Sequence, residues 1–341
     1  MRYMKAEAKE AARAQFRGLW AAITTPFTPE GDLDEDALRA NMRHLTDELH
    51  VDGVFCTGIM GEFWSLTKAE WMRSIEIVVE EARGRCSVIA HTAHHSSRET
   101  IELTRHAEEV GADFAILINP YYPPVPDDAM VHRWFEEVCR AVDIGVWIFD
   151  TSYSGYGLSA QVTARIAEIE NVCGIKIVRD RDHYREVKRL TGGAIVMSDP
   201  TESNWLDLMQ TEGQRVHMSS PHPYCFQTAS WQPMREYTEL GLSGQFEAAA
   251  TVRARLDALR PVYAKWITRT WRERRVVPIA YLKAWTELLG MAGGPVRPPL
   301  LPIGSAEREE MRQDLMAAGL LGEASRTRAS ADMGAARRPA S

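Results

Sequence analysis
The feature that most constrains the fold of this chain is a recurrence of short, β-rich apolar runs. They begin at Leu19 ("LWAAIT"), Gly53 ("GVFCTG"), Cys86 ("CSVIAH"), Ala115 ("AILIN"), Gly145 ("GVWIF"), Cys173 ("CGIKIV"), Ala194 ("AIVMS") and Arg215 ("RVHMS"), with start-to-start spacings falling from 34 to 21 residues. That spacing accommodates a strand, a helix and two short loops. Helical stripes do lie between the runs, among them Leu38, Met42, Leu45 and Leu49, or Trp71, Ile75 and Val78. Eight βα units in series predict an α/β fold, a (β/α)8 TIM barrel. An open doubly wound sheet fits less well, because no G-x-G-x-x-G follows any run to mark a dinucleotide crevice.

The repeat occupies residues 18–225, after an N-terminal extension of residues 1–17. From 226 to 322 the β-rich runs give way to a C-terminal helical region with Leu256, Leu259, Val262, Tyr263 and Trp266 on one stripe. Within it "GGPVRPPLLPIG" is too proline-rich for a helix, and a last helix is expected to open at Ser305. Residues 323–341 lack any apolar period and are expected to be without order.

Charge narrows the partners. Forty Lys and Arg against 47 Asp and Glu leave a net charge of -7, which offers no basic surplus for nucleic acid or an anionic membrane. No stretch approaches the length of a membrane span, and residues 1–17 hold no apolar signal core. Five cysteines without a C-x-x-C pair suit a reducing compartment, so a cytoplasmic protein acting on a small molecule is expected.

Chemistry should sit at the C-terminal ends of the strands. The candidates there are Thr25, the "GIMGE" loop, His91, Asn119 with Tyr121 and Tyr122, Phe149 with Asp150, Lys176, Ser198 with Asp199, and Ser219. Lys176 is the most informative, because it interrupts the apolar run "NVCGIKIV". An amine projecting into the barrel mouth among apolar neighbours is driven toward its neutral form, and a neutral amine attacks a carbonyl to give a Schiff base. Taken alone, an inward strand lysine is more often a structural ion-pair partner.

Four ordered motifs bear on that choice. "GIMGEFWSLT", "NPYYPP", "NVCGIKIV" and "GGPVRPPL" together resemble the dihydrodipicolinate synthase and N-acetylneuraminate lyase family, from about Gly18 to about Leu320. The resemblance implies a class I aldolase-type lyase, a homo-oligomer (tetramer or dimer), and an imine between a lysine and a 2-oxo acid such as pyruvate. It places that lysine at Lys176 and implies no cofactor.

The chain also departs from the family pattern. Ile59 and Met60 stand where a G-T-T-G-E loop would supply two threonine hydroxyls, and Phe149 stands where the family carries a proton-relay tyrosine. Of the usual hydroxyls Tyr122 remains by alignment, and the arginine of lysine-pathway members falls near Ser154. Dihydrodipicolinate synthesis itself is therefore not expected. Losing a positioned acid–base group costs about 10² to 10⁴ in rate, so a substitute is needed. Asp150 is the first candidate, with Tyr153, Tyr156, His91 and Ser219 behind it.

The expected site thus comprises Lys176, Tyr122 and Asp150 as catalytic groups, with Ile59, Met60, Phe149, Ser154, His91 and Ser219 around the substrate. No metal site is expected, since adjacent His94 and His95 cannot easily face one ion. The resemblance implies that Glu62 braces its loop. The apolar substitutions point to a bulkier carbonyl substrate. Two other readings stay open: a hydratase-aldolase on aromatic pyruvate adducts, and a non-catalytic relative kept as a binding or assembly protein.

Overall fold
The computed structural model describes residues 3–322 apart from 124, 126 and 275. The expected disorder of residues 323–341 lies outside the described residues. Eight parallel strands form a nearly closed barrel: β1 (Gly18–Ala22), β2 (Gly53–Cys56), β3 (Ser87–His91), β4 (Phe114–Ile118), β5 (Gly145–Asp150), β6 (Val172–Ile177), β7 (Val196–Ser198) and β8 (Val216–Ser220). Their order is β7-β6-β5-β4-β3-β2-β1-β8. This is the (β/α)8 architecture the spacing predicts.

Helices alternate with the strands: α1 (Ala8–Gln15), α2 (Glu35–Arg43), α3 (Lys68–Ala82), α4 (Ser97–Val110), α5 (Asp128–Arg140), α6 (Ala160–Ala167), α7 (Arg181–Thr191) and α8 (Glu202–Glu212). After β8 come α9 (His222–Cys225), α10 (Pro233–Leu242), α11 (Phe246–Arg253), α12 (Leu259–Tyr263), α13 (Arg269–Arg274), α14 (Ile279–Leu288) and α15 (Ser305–Ala317). Local chemistry sets many of the starts. Thr67 and Glu70 form a reciprocal capping box on α3, and Asp34, Asp127, Ser159 and Asp180 each accept a backbone N–H at the start of α2, α5, α6 and α7. The last helix opens at Ser305, as its sequence suggests, with Gly304 as the cap, whose N–H donates to Glu307 at 3.1 Å.

Both faces of the barrel strands are covered, so the strands are apolar throughout rather than alternating. Two tryptophans fill the lower barrel by lying over glycines of the next strand. Trp20 pairs with Gly53 and Trp147 with Gly174, and a Cβ added to either glycine would fall 2.3 Å or 2.1 Å from the indole. The Phe16 ring stacks 4.2 Å from Trp20 and lies 4.1 Å from Trp147.

Phe16 directly follows α1, so the segment read as a mere extension plugs the barrel floor. Ala8 and Ala12 are fully buried, Lys5 Nζ donates to the carbonyls of Cys139 (2.7 Å) and Val142 (2.6 Å), and Tyr3 Oη donates to Asp113 O. The short alanine side chains let the helix approach closely, which its polar composition conceals.

The barrel seam is different. Among the described residues no backbone ladder joins β7 to β8. Ser198 Oγ sits 3.0 Å from the carbonyls of Val216 and Met218 and accepts Met218 N–H at 2.8 Å, while Gln214 Nε2 reaches Val216 O at 2.9 Å. A hydroxyl thus replaces the missing strand pairing, and Ser198 serves the seam.

Candidate active site
Strand pairing decides what faces what at the barrel mouth. Phe149 on β5 pairs with Lys176 on β6, and Lys176 pairs with Ser198 on β7. Lys176 Nζ lies 4.5 Å from the Phe149 ring centroid and 5.0 Å from that of Phe55. The side chain is only 6% exposed. An aromatic face returns about 2 kcal/mol or somewhat more to a desolvated ammonium, less than the several kcal/mol lost on leaving water. Burial wins, and it lowers the Lys176 pKa to about 7.

Above the amine is a cavity of about 160 Å³. Five aromatic residues are in its lining, Phe55, Phe149, Tyr153, Tyr263 and Trp271; the rest is largely Ala22, Ile59, Met60, Val178, Pro200 and Pro221. Among the described residues lining it, Lys176 is the single charged side chain. Polar atoms come from Thr151, Ser220 and the tyrosine hydroxyls.

The expected residues separate into those inside the cavity and those outside. Ile59, Met60 and Phe149 line it with Lys176. Asp150 does not, because successive strand side chains point to opposite faces and Phe149 takes the inward position. The Asp150 carboxylate instead accepts Leu158 N–H at 3.1 Å and meets His183 Nε2 at 3.2 Å and Arg179 Nη1 at 3.6 Å. It ties the end of β5 to the start of α7, which corrects its assignment as a proton shuttle beside the amine.

Ser154 is likewise corrected. Its hydroxyl is consumed within a tight turn, 3.0 Å from Thr151 O and 2.8 Å from Tyr156 O, and it does not reach the cavity. Tyr122 is 73% exposed and borders a separate depression with Trp64, His94 and His95, so its hydroxyl is not presented to Lys176 within this chain. Tyr156 Oη donates to Asp128, away from the cavity.

His91 lies behind the wall rather than in it. Its ring stacks on Trp71 at 5.8 Å and 7°, Nδ1 sits 3.1 Å from Thr57 O, and burial lowers its pKa to about 3. A carbonyl can only accept, so Nδ1 carries the proton and the imidazole is neutral. Ser219 lies in β8, but its side chain is outside the described residues.

The "GIMGE" loop is braced from the C-terminal region. Glu62, fully buried and with a left-handed φ of 54°, pairs with Lys283 at 2.6 Å and accepts Arg297 N–H at 3.1 Å. Arg297 in turn bonds Glu70 and the carbonyls of Gly31 and Ser65. The proline-rich segment is therefore a clamp on the loop. Turn bonds within the loop use the N–H groups of Gly61, Glu62 and Phe63; among the described residues none uses those of Ile59 or Met60.

A group absent from the sequence reading sits at the end of β8. Trp20 pairs with Met218 but Ala21 with Ser220, so Ser219 is an extra residue in a bulge. Bulges re-aim side chains, and this one puts Ser220 into the cavity lining. Ser220 Oγ lies 2.9 Å from His217 Nε2 and 2.7 Å from His222 Nδ1. Counting along the run without the bulge selects the neighbouring serine. Tyr263 and Trp271 were also hidden, since their helices follow the barrel and read as packing.

The family model described as the Dihydrodipicolinate synthetase family matches residues 15–318. The chain belongs to the dihydrodipicolinate synthetase family. It is 32% identical over 316 residues to a 4-hydroxy-tetrahydrodipicolinate synthase of Methanopyrus kandleri, covering 91% of this chain and 98% of that protein. Against the enzyme of the same name from Methanothrix thermoacetophila the identity is 30% over 308 residues, covering 88% and 96%. Among solved structures, dihydrodipicolinate synthase from Aquifex aeolicus superposes with a TM-score of 0.78 at 27% identity, covering 89% of this chain and 99% of that one. YagE, a prophage protein of the same family from E. coli K12 solved in complex with pyruvate, gives 0.77 at 25% identity, covering 90% and 99%. The family and its barrel are thus those the four motifs resemble. Of the positions expected to depart from the family pattern, Ile59, Met60 and Phe149 line the cavity.

Proposed function
We propose that this member of the dihydrodipicolinate synthetase family is a Schiff-base-forming lyase of the aldolase type, acting on a 2-oxo acid or related carbonyl through Lys176. The observation that carries the reading is the buried Lys176 amine, its pKa lowered to about 7, at the base of an open-mouthed cavity. At neutral pH a large share of such an amine is unprotonated and nucleophilic. The nitrogen adds to the keto carbon, water leaves, and the resulting iminium withdraws electrons from the adjacent carbon, whose bond to a hydrogen or to a second carbon then breaks.

The N–H groups of Ile59 and Met60 are the proposed partners of the substrate carboxylate, replacing side-chain hydroxyls. Each hydrogen bond to a charged group contributes about 1.5 to 3 kcal/mol, so the missing hydroxyl at Met60 weakens binding of a small 2-oxo acid. The aromatic lining favours a larger substrate. A dry cavity of about 150 Å³ is known to hold a benzene ring, and this one measures about 160 Å³. That volume holds one ring-sized or pyruvate-sized group, so the hydratase-aldolase reading on arylidene adducts of pyruvate rests on the apolar lining and the open mouth, through which the remainder of the substrate would extend.

Synthesis of 4-hydroxy-tetrahydrodipicolinate, the activity in the relatives' names, is not the reaction proposed. No arginine lines the cavity among the described residues, and Ser154 is taken up by a turn. Reductive trapping tests the reading. With sodium borohydride and a panel of 2-oxo acids, wild-type protein should gain one reduced adduct, mapped to the peptide containing Lys176, and K176M should gain none. Absence of adduct with every ligand would favour a non-catalytic relative.

A further inference from the structure
An imine mechanism moves protons on and off the substrate, and Phe149 offers none. Among the described residues lining it, the cavity has four hydroxyls, on Thr151, Tyr153, Tyr263 and Ser220. Thr151 Oγ1 accepts Tyr153 N–H at 3.4 Å, and among the described residues neither tyrosine hydroxyl is bonded to a group able to take its proton. Ser220 differs, because its oxygen is held between two imidazole rings.

The direction of those bonds follows from satisfying buried atoms. His217 is fully buried and, among the described residues, its Nδ1 has no partner. A proton on Nδ1 would leave a buried donor unpaired, which costs more than an idle lone pair. The proton therefore sits on Nε2 and donates to Ser220 Oγ at 2.9 Å. His222 N–H donates to the same oxygen at 3.3 Å. With two donors arriving, the Ser220 hydroxyl proton is left to point at His222 Nδ1, 2.7 Å away.

We propose that Ser220, oriented by His217 and backed by His222, is the proton carrier of the Lys176 pocket. This rests on the imine reading above. In the step that converts the iminium to its enamine, the longer of the two bonds the Ser220 oxygen accepts, that from His222 N–H at 3.3 Å, opens; the freed lone pair takes a proton from the carbon next to the iminium while the hydroxyl proton passes to His222 Nδ1. The C–H electron pair becomes the C=C bond, the C=N π pair returns to nitrogen, and the positive charge moves from the iminium to the imidazole. Protonating the enamine carbon runs the transfer in reverse; when the enamine instead adds to a second carbonyl, the same proton goes to the oxygen of that carbonyl, so no external reagent is consumed.

The surroundings of His222 suit the task. Burial lowers its pKa to about 4, leaving a neutral acceptor at pH 7, while the Glu202 carboxylate opposes that shift and eases transient protonation. Glu202 is itself held by Arg260 at 2.9 Å and by Tyr237 Oη at 3.0 Å. His217 is a positioning residue: it touches Ser220, and nothing in its placement requires it to change protonation state.

The test uses the full chain with pyruvate in D2O, following loss of the methyl proton signal by NMR, with borohydride trapping run in parallel. Wild type should trap at Lys176 and exchange. S220A should still trap, with exchange slowed by about 100-fold, the usual size of a lost acid–base group. S220T should restore exchange to within a fewfold. H222N keeps an acceptor for the serine hydroxyl but cannot take its proton, so it should also trap and exchange slowly. It carries the test should S220A fail to fold. Wild-type exchange rates in S220A or H222N, with the adduct intact, would overturn the relay alone. A wild type that forms no adduct would overturn the imine reading and the relay together.

Discussion

Phe149 and Lys176 are register partners across the β5–β6 ladder, and the phenyl ring lies 4.5 Å from the amine. The ring helps to bury the amine but cannot exchange a proton with it, so in the proposed reaction this position shelters the nucleophile without supplying a hydroxyl.

That relationship makes Phe149→Tyr a gain-of-function test. A tyrosine there should place a hydroxyl within reach of the substrate carbon and rescue pyruvate exchange in an S220A background by about tenfold or more. Exchange by NMR in the single and double variants checks this; an F149Y/S220A protein as slow as S220A would deny that the two positions share a task.

Capture by Lys176 should depend on pH with a definite sign. Burial lowers its pKa from 10.5 to about 7, so the neutral, reactive fraction rises as pH increases through 7 and levels off above 8. The initial rate of adduct formation from pH 5.5 to 9 should follow a single ascending limb. A limb centred near 10 would mean an ordinary exposed lysine.

The same burial should appear as instability. Between pH 7 and 10.5 the unfolded chain keeps a proton on this lysine that the folded chain has released, so stability rises with pH over that window and the penalty is fully present below it. Lys176→Met should therefore stabilise the fold at pH 7 by an amount on the order of several kcal/mol, while abolishing capture. Urea unfolding at pH 7 and pH 9.5 should show the advantage shrinking at the higher pH.

Asp150→Asn separates bracing from chemistry. The carboxylate is fully buried against Leu158 N–H, His183 and Arg179, on the strand face opposite Phe149. Its loss should cost about 2 kcal/mol of stability and leave trapping at Lys176 unchanged. Loss of trapping in a folded D150N protein would return Asp150 to the chemistry.

The Glu62–Lys283 pair holds the loop that carries Ile59 and Met60. Removing one member of a buried ion pair typically costs about 3 to 5 kcal/mol, because the other charge is stranded. Glu62→Ala should lose that much in a denaturant melt and weaken 2-oxo acid binding as the loop relaxes. The double variant E62A/K283M should recover much of the stability but not the binding.

How far the sequence reaches can be judged from these residues. The βα spacing declares the barrel, because strand and helix each need a minimum length. Lys176 stands out because a charge in a doubly covered strand violates the apolar pattern. Asp150 misled for a period-2 reason: adjacent strand residues share a position along the chain but not a face. Ser220 was missed through a one-residue bulge, which no composition rule locates. The α1 plug was missed because two buried alanines amid lysine, arginine and glutamate look like a solvated helix. Tyr263 and Trp271 reach the cavity by tertiary packing from beyond the barrel, and no local pattern encodes that.

The most direct test of the central claim is a crystal structure of the chain soaked with pyruvate and with an arylidene pyruvate. The account predicts continuous density from Lys176 Nζ to the keto carbon, the carboxylate at the Ile59 and Met60 amides, and the aryl group against Phe149, Tyr263 and Trp271. A ligand seated in the cavity with its carbonyl intact and Lys176 unmodified would contradict it.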